Sequence, residues 1–301
     1  MTTSSYAIAY TAGGNTYNLS NQSVGFMVHY LGDENFGLAP LHLITNRSPV
    51  QQGDTTLDFR LDPRIIQIPI LVECSSLQEQ YDVRNYLLNI FKPSNKDGLL
   101  TVVQPNGTTR QINTRVLGGL DFNMETSAGH HVRTMVRLRC SDPTWYDPTE
   151  ITLPIVTLSG TPTAYPKAYP VNYGTSSFGG SYDLTYTGTW LSYPIITVTG
   201  PVTNFSITNT SINQNITLIT GTTIAAGTTL RFDLRYGRKT VTDSAGNNRI
   251  SWVDSSSELA QFAIYPAPDV TDGINSFTVS GTGTTTASSV TLAYYNRYVG
   301  I

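Results

Sequence analysis

Between Leu57 and Asp147 the spacing of apolar residues switches from period two to a helical period and back, and no other feature constrains the fold as much. Leu57, Phe59 and Leu61 alternate with polar residues; Ile66, Ile68, Ile70 and Val72 then alternate with Gln67, Pro69 and Leu71. Every second side chain falls on one face, which predicts sheet. The alternation stops at Cys74-Ser75-Ser76. Ser76 and Glu79 have capping-box spacing, in which the hydroxyl accepts the N3 amide and the carboxylate reaches back. Leu77, Tyr81, Leu88 and Phe91 follow at helical spacing, and Leu87 widens that face. Pro93 ends the helix, because it has no amide to donate and disfavours the helical conformation at Lys92.

After the helix the period returns to two. Leu99 to Val103 reads as a strand, and Gln104-Pro105-Asn106-Gly107 as a turn in which Pro sets φ and Gly accepts a positive φ. Arg110 to Leu117 returns antiparallel, and Leu120, Phe122 and Met124 form the next edge. Ala128-Gly129 turns, and Val132, Met135, Val136, Leu138 and Cys140 carry a closing strand. Hairpins around a single helix predict an α+β domain.

Upstream, Tyr6 to Tyr10 alternates, Gly13-Gly14-Asn15 turns the chain, and Phe26, Val28 and Tyr30 share a face. Asn46 to Asp54 is polar and holds Pro49 and Gly53, which reads as a loop. Downstream, residues 149–176 carry Pro154, Pro162, Pro166 and Pro170, the composition of an extended connector. From Tyr182 onward short alternating runs follow one another: Ile196 with Val198, Phe205 with Ile207, Ile216 with Leu218, Leu230 with Phe232 and Leu234, Phe262 with Ile264, Phe277 with Val279, and Val290 with Leu292 and Tyr294. Turn residues separate them at the spacing of a β-sandwich. The 301 residues are expected to be mainly β: an α+β domain over 1–150, then the Pro-rich connector and a β-sandwich over 151–301.

Charged residues make up 13% of the chain, against roughly 25% in an average soluble protein, so Thr, Ser, Asn and Gly must supply much of the polar surface. A net charge of −3 argues against a nucleic-acid binder with a basic face. No run of about 18 apolar residues exists, which speaks against membrane insertion. The first residues lack the basic and apolar regions of a secretory signal, so synthesis in a cytoplasm is expected. In that reducing compartment Cys74 and Cys140 read as two buried thiols at strand ends rather than a disulfide.

No residue set points to catalysis. The chain has no G-x-S-x-G elbow, and Asp233, Asp243, Asp254 and Glu258 are scattered without a glycosidase pairing. His29 and His42 stand alone. His130 and His131 are adjacent and on a strand would point to opposite faces, so no metal site is expected. No cofactor is implied. Trp190, Tyr193 and Trp252, with Tyr236, are candidates to stack on sugar rings; the alternative is packing over the sandwich core. In Arg231-Phe232-Asp233-Leu234-Arg235 the charged residues fall on one face, most simply a solvated one, with an interface salt-bridge set as the alternative.

The ordered set of motifs resembles the distal tail proteins of siphophages, the tail-tip hub often called Dit. The matching segments in the first half are Arg64 to Ile70, the helix with Tyr81 to Leu88, the Pro105-Asn106-Gly107 hairpin and the exit Asp142-Pro143-Thr144-Trp145-Tyr146. Gly188 to Gly200, Gly227 to Asp233 and Tyr295 to Tyr298 resemble the galectin-like sandwich that follows in that family. The resemblance implies a non-enzymatic virion protein at the tail tip, assembled in the host bacterial cytoplasm. Six copies would form a ring joining the tail tube to the tail-associated fibre or spike and to receptor-binding proteins. DNA would pass through without specific binding, and the negative net charge suggests a lumen that repels phosphate. The other reading is a carbohydrate-binding adhesin or accessory receptor-binding module of the tail.

Overall fold

The structure is a computed structural model that describes residues 6–20, 27–30, 35–125, 130–157 and 177–301. The chain separates into two compact units, Met1–Pro148 with Tyr298–Ile301, and Thr149–Arg297. The second unit is therefore an insertion between Pro148 and Tyr298 of the first.

The first unit contains β1 (Ala7–Ala12), β2 (Asn15–Asn18), β3 (Met27–Tyr30), β4 (Leu41–Asn46), β5 (Thr55–Leu61), β6 (Arg64–Cys74), α1 (Leu77–Ile90), β7 (Gly98–Val103), β8 (Thr109–Gly119), β9 (Asn123–Glu125), β10 (His130–Cys140) and β11 (Trp145–Tyr146). Gly13 and Gly14 both take positive φ between β1 and β2, the two-residue turn whose twist suits a hairpin. Gly107 closes the β7–β8 turn with φ of 85°, as Pro105-Asn106-Gly107 predicts. The main path runs β2-β1-β7-β8-β10-β6-β3. β8 serves three partners: its first half pairs β7 from Gly98↔Thr114 to Val103↔Thr109, its second half pairs β10, and its Gln111 also pairs Tyr146 of β11. The handover needs Gly119, whose φ is 106° and where a Cβ would lie 2.2 Å from the Met135 carbonyl oxygen. Phe26 and the Ala128-Gly129 turn lie outside the described residues.

Helix α1 packs on β6 and β10. The Ser76 hydroxyl accepts the Glu79 amide at 3.2 Å, as the capping spacing predicts. The Glu79 carboxylate reaches one residue farther back, to the Ser75 amide and hydroxyl, and those bonds lower its pKa. The core face differs from the predicted one. Gln80, Val83, Leu87 and Ile90 are buried, with Phe91 just beyond, whereas Leu77, Tyr81 and Leu88 form a second stripe left 42–48% exposed. The i, i+3, i+7, i+10 row from residue 80 meets the sheet, and Gln80 is tolerated there because its amide donates to the His131 carbonyl at 3.4 Å.

The fully buried Arg64 ties this unit together. Its Nε donates to the Pro143 carbonyl at 2.8 Å, Nη1 to the carbonyls of Asn35 and Gly37 at 2.8 and 2.9 Å, and Nη2 to that of Val299 at 2.6 Å. Its guanidinium also lies 5.8 Å from the centre of the buried Trp145 ring. The last residues are held elsewhere too: Arg110 lies over the Tyr298 ring and pairs with Asp147, which accepts from the Tyr298 hydroxyl at 3.2 Å.

The second unit is a β-sandwich. One sheet has the order β12-β21-β14-β18-β19, built from Ile151–Thr157, Ser289–Tyr294, Ile195–Thr199, Thr229–Asp233 and Thr240–Asp243. The other is β13-β20-β15-β16, from Ser177–Thr185, Ile274–Thr282, Val202–Asn209 and Gln214–Thr217, with β17 (Thr223–Ile224) beside β15. The alternating pairs read from the sequence fill the core between them, and Phe205 meets Phe232 across it with ring centres 6.1 Å apart. Phe262 and Ile264 reach the same core without belonging to a strand; the bridge Ser192↔Ile264 and the side chains of Gln214, Asn209 and Asn275, bonded to the Ala263 and Tyr265 backbone, hold that segment. Pro154 corrects the connector reading: Ile151–Thr157 is an edge strand, and its register shifts between Pro154 and Val156. An edge with a bulge is where a residue lacking an amide can sit in a sheet. Pro162, Pro166 and Pro170 lie outside the described residues.

Two carboxylates fix the rim of this unit. Asp233 is buried between Arg235, at 2.9 and 2.7 Å, and Arg231, at 3.3 Å, which corrects the solvated-face reading. Sequence alternation places it with the arginines, and their two guanidiniums close over it. Asp243 accepts from the amides of Ala245 and Asn247, the Asn247 side chain and Arg249 Nε, and is held down at about 2.

Two outcomes follow for stability. Replacing Arg64 with Ala leaves four carbonyls without their donor and should cost at least roughly 1–3 kcal/mol, the range for one buried polar group left unsatisfied. Hydrogen exchange should show protection lost in the first unit and kept in the second; equal loss in both would contradict the assignment. For Asp243, a depressed folded pKa contributes stability that is present above the ordinary aspartate value and lost as pH falls toward about 2. Asp243→Asn should therefore be less stable than the parent at neutral pH and lose less stability between about pH 4 and 2 in acid titration.

Candidate assembly surfaces

β4 and β5 form a two-stranded sheet of their own, paired to no other strand among the described residues. The register sets Leu41 opposite Leu61 and Leu43 opposite Phe59, so these four and Leu57 share one face. His42, Ile44, Asp58 and Arg60 occupy the other. On the first face Leu41, Leu43, Leu57 and Phe59 are 48–63% exposed. A lone hairpin is marginal in water, and contiguous exposed apolar surface of this kind marks an interaction site. The sequence reading gave Leu57, Phe59 and Leu61 their strand but did not find β4. The alternation of Leu41 and Leu43 was the available signal, obscured by Ile44 following without a break.

Two further features of the first unit are open. β3 ends the main path, and its outer edge pairs with nothing among the described residues. The Leu77, Tyr81 and Leu88 stripe lies on the solvent side of α1.

The residues singled out for sugar stacking have different surroundings. Trp190 is partly buried and its amide donates to the Arg297 carbonyl at 3.0 Å. Tyr193 carries the Lys239 ammonium 3.7 Å from its ring centre, and Tyr236 lies beside it at 6.3 Å. Burial over that ring pushes the Lys239 amine down to about 8, and the amine donates to the Ala260 carbonyl at 3.0 Å. Trp252 has the Arg249 guanidinium 4.6 Å from its ring centre, beside a cleft of about 320 Å³ with Asn247, Asp243 and Thr228. Cations thus cover one face of both Tyr193 and Trp252.

His42 is exposed, and His131 is half-buried on the strand face opposite His130's backbone position. No group of three or more His, Cys, Asp or Glu is placed to hold a metal ion among the described residues. Cys74 and Cys140 are free thiols, pushed up to about 11 and about 12 by burial. They pair with His130 and Arg64 at opposite ends of the β6–β10 ladder, a separation of roughly 33 Å that no disulfide spans. No described helix is long and apolar enough to cross a membrane.

No family model and no curated protein matches the chain. Solved structures do. The crystal structure of the Dit protein (gp 19.1) of phage SPP1, described as a paradigm of hub adsorption apparatus in phages infecting Gram-positive bacteria, matches with a TM-score of 0.66 at 13% identity, over 97% of this chain and 98% of that one. A chain of the phage P2 baseplate in its activated conformation with Ca matches with a TM-score of 0.47 at 10% identity, over 96% and 97%. At these identities what is shared is architecture: over nearly its whole length, this chain has the mainly β fold of the SPP1 Dit protein.

Proposed function

We propose that this chain is a structural component of a bacteriophage tail tip, a hub or baseplate protein. In this reading the first unit closes into a hexameric ring. The ring joins the tail tube to the tail-associated fibre or spike, the second unit faces receptor-binding proteins, and DNA passes through the centre. The protein is made in the host cytoplasm, ends in the virion and has no catalytic task.

The observation that carries this reading is the β4–β5 hairpin. Leu41, Leu43 and Leu57 on one of its faces stand exposed among the described residues, and a neighbouring copy in a closed ring supplies a cover. Head-to-tail contact gives a ring when the rotation closes, and closure also removes open strand edges such as that of β3. The fold shared with the SPP1 Dit protein supports the same role. The carbohydrate-binding alternative has less to stand on, since cations lie over both Tyr193 and Trp252.

Light scattering at increasing concentration tests the ring. Six copies of 32.9 kDa give about 197 kDa. Each apolar side chain covered on assembly is worth roughly 1.5–3 kcal/mol, so Leu43→Asp with Phe59→Asp should leave a folded monomer. A parent chain that stays at 32.9 kDa at high concentration and is absent from the tail tip of imaged particles would overturn the proposal, as would a ring unchanged in the double variant.

A further inference from the structure

The face of the β6–β10 sheet turned away from α1 carries an unusual charge row. On β10, Val132, Val136, Leu138 and Cys140 point into the core, so Arg133, Met135, Arg137 and Arg139 lie on the opposite face, and all three arginines are exposed. Arg115 of β8 lies directly across from Arg139 and is exposed as well. Arg115 is paired with Asp97, and Arg139 donates to the Ser141 hydroxyl at 2.9 Å. Arg133 and Arg137 have no carboxylate partner among the described residues; they flank a cleft of about 570 Å³ floored by Met135 and Pro69 and bordered by Gly119 and Asp121. Gly118 beside Arg137 has nothing within 4 Å of its missing Cβ, so the backbone there is open to close approach.

We infer that this face binds the phosphodiester backbone of duplex DNA without reading its sequence. Unpaired guanidiniums on a flat exposed sheet face suit an anion, and phosphate accepts their forked donors in pairs. The arginines stand in a row, because same-face positions on a strand recur about every 6.6–6.8 Å. Arg137 and Arg139 occupy adjacent same-face positions, and Arg133 lies two further along. On β6 and β10 the apolar groups of this face are Ile65, Pro69, Leu71 and Met135, and none is an aromatic anchor of the kind that dominates protein–protein hot spots. The inference deepens the hub reading, which supplies the DNA, and it revises the expectation of a wholly phosphate-repelling surface.

Fluorescence anisotropy with a labelled 20-bp duplex, titrated by the full chain from about 20 to 200 mM salt, tests this directly. Binding should weaken steeply with salt and be the same for unrelated sequences. Arg133→Gln with Arg137→Gln should lower affinity at least tenfold at about 50 mM salt and reduce the salt slope by about 2. The charge-matched control Lys96→Gln with Arg238→Gln should bind like the parent. Equal binding by both double variants overturns the proposal, as does a parent that binds polyglutamate but not the duplex, which would make this a docking face for an acidic protein. Light scattering on the same samples keeps the outcomes separate: a chain that binds DNA but never assembles fails the ring reading and not this one.

Discussion

The first unit depends on Arg64. Its guanidinium has no carboxylate partner in the described structure and is instead surrounded by the carbonyls of Asn35, Gly37, Pro143 and Val299. Removing a cation from water is costly unless its donors are satisfied, and here Nε, Nη1 and Nη2 all are. Burial lowers the pKa, yet guanidinium remains charged at any physiological pH, so the clamp does not titrate. Lysine could not replace it, because one ammonium cannot present three nitrogens in a plane to four carbonyls. The clamp gathers segments from the beginning, the middle and the end of the sequence. The first unit is therefore complete only when Tyr298–Ile301 has been synthesised, after the whole inserted sandwich.

A chain this poor in charge has little electrostatic protection against association, which makes its uncovered apolar residues informative. Seven of them fall into two rows. Leu41, Leu43, Leu57 and Phe59 lie on one face of a hairpin, and Leu77, Tyr81 and Leu88 on one stripe of a helix. Scattered surface leucines need no account, but aligned ones do. The sandwich, by comparison, encloses its alternating residues between two sheets and keeps few large apolar groups at the surface. Both units have a buried core, and the exposed apolar rows belong to the first.

How much of this was legible in the sequence follows from the range of the interactions. Period two in Ile66, Ile68 and Ile70, and in Phe205 with Ile207, reports burial on one face and is local, so the strands and the sandwich core could be read directly. Ser76 and Pro93 bound α1 by local chemistry too. The face of α1 could not be read, because the helix carries two apolar stripes and only tertiary contact decides which one meets the sheet. Asp233 failed for a similar reason: alternation gives its side but cannot say that Arg231 and Arg235 fold over it. Arg64 stood in a quoted strand, yet its four carbonyls come from up to 235 residues away, beyond any pattern along the chain. Among the proposed site residues, Trp190, Tyr193 and Trp252 were chosen by type alone, and type does not reveal a cation seated over the ring.

Net charge, too, averages over position. A total of −3 is compatible with a row of exposed arginines, provided the acids lie elsewhere. Strand parity creates the row: residues 133, 137 and 139 are all odd in a strand whose even residues face the core. Shifting the β10 register by one residue would bury every arginine and expose every valine, so packing of Val132, Val136 and Leu138 against the core also fixes the charge on the other side. The apolar pattern that made the strand predictable therefore determines where its arginines stand. The electrostatics of the sheet face is a consequence of its core.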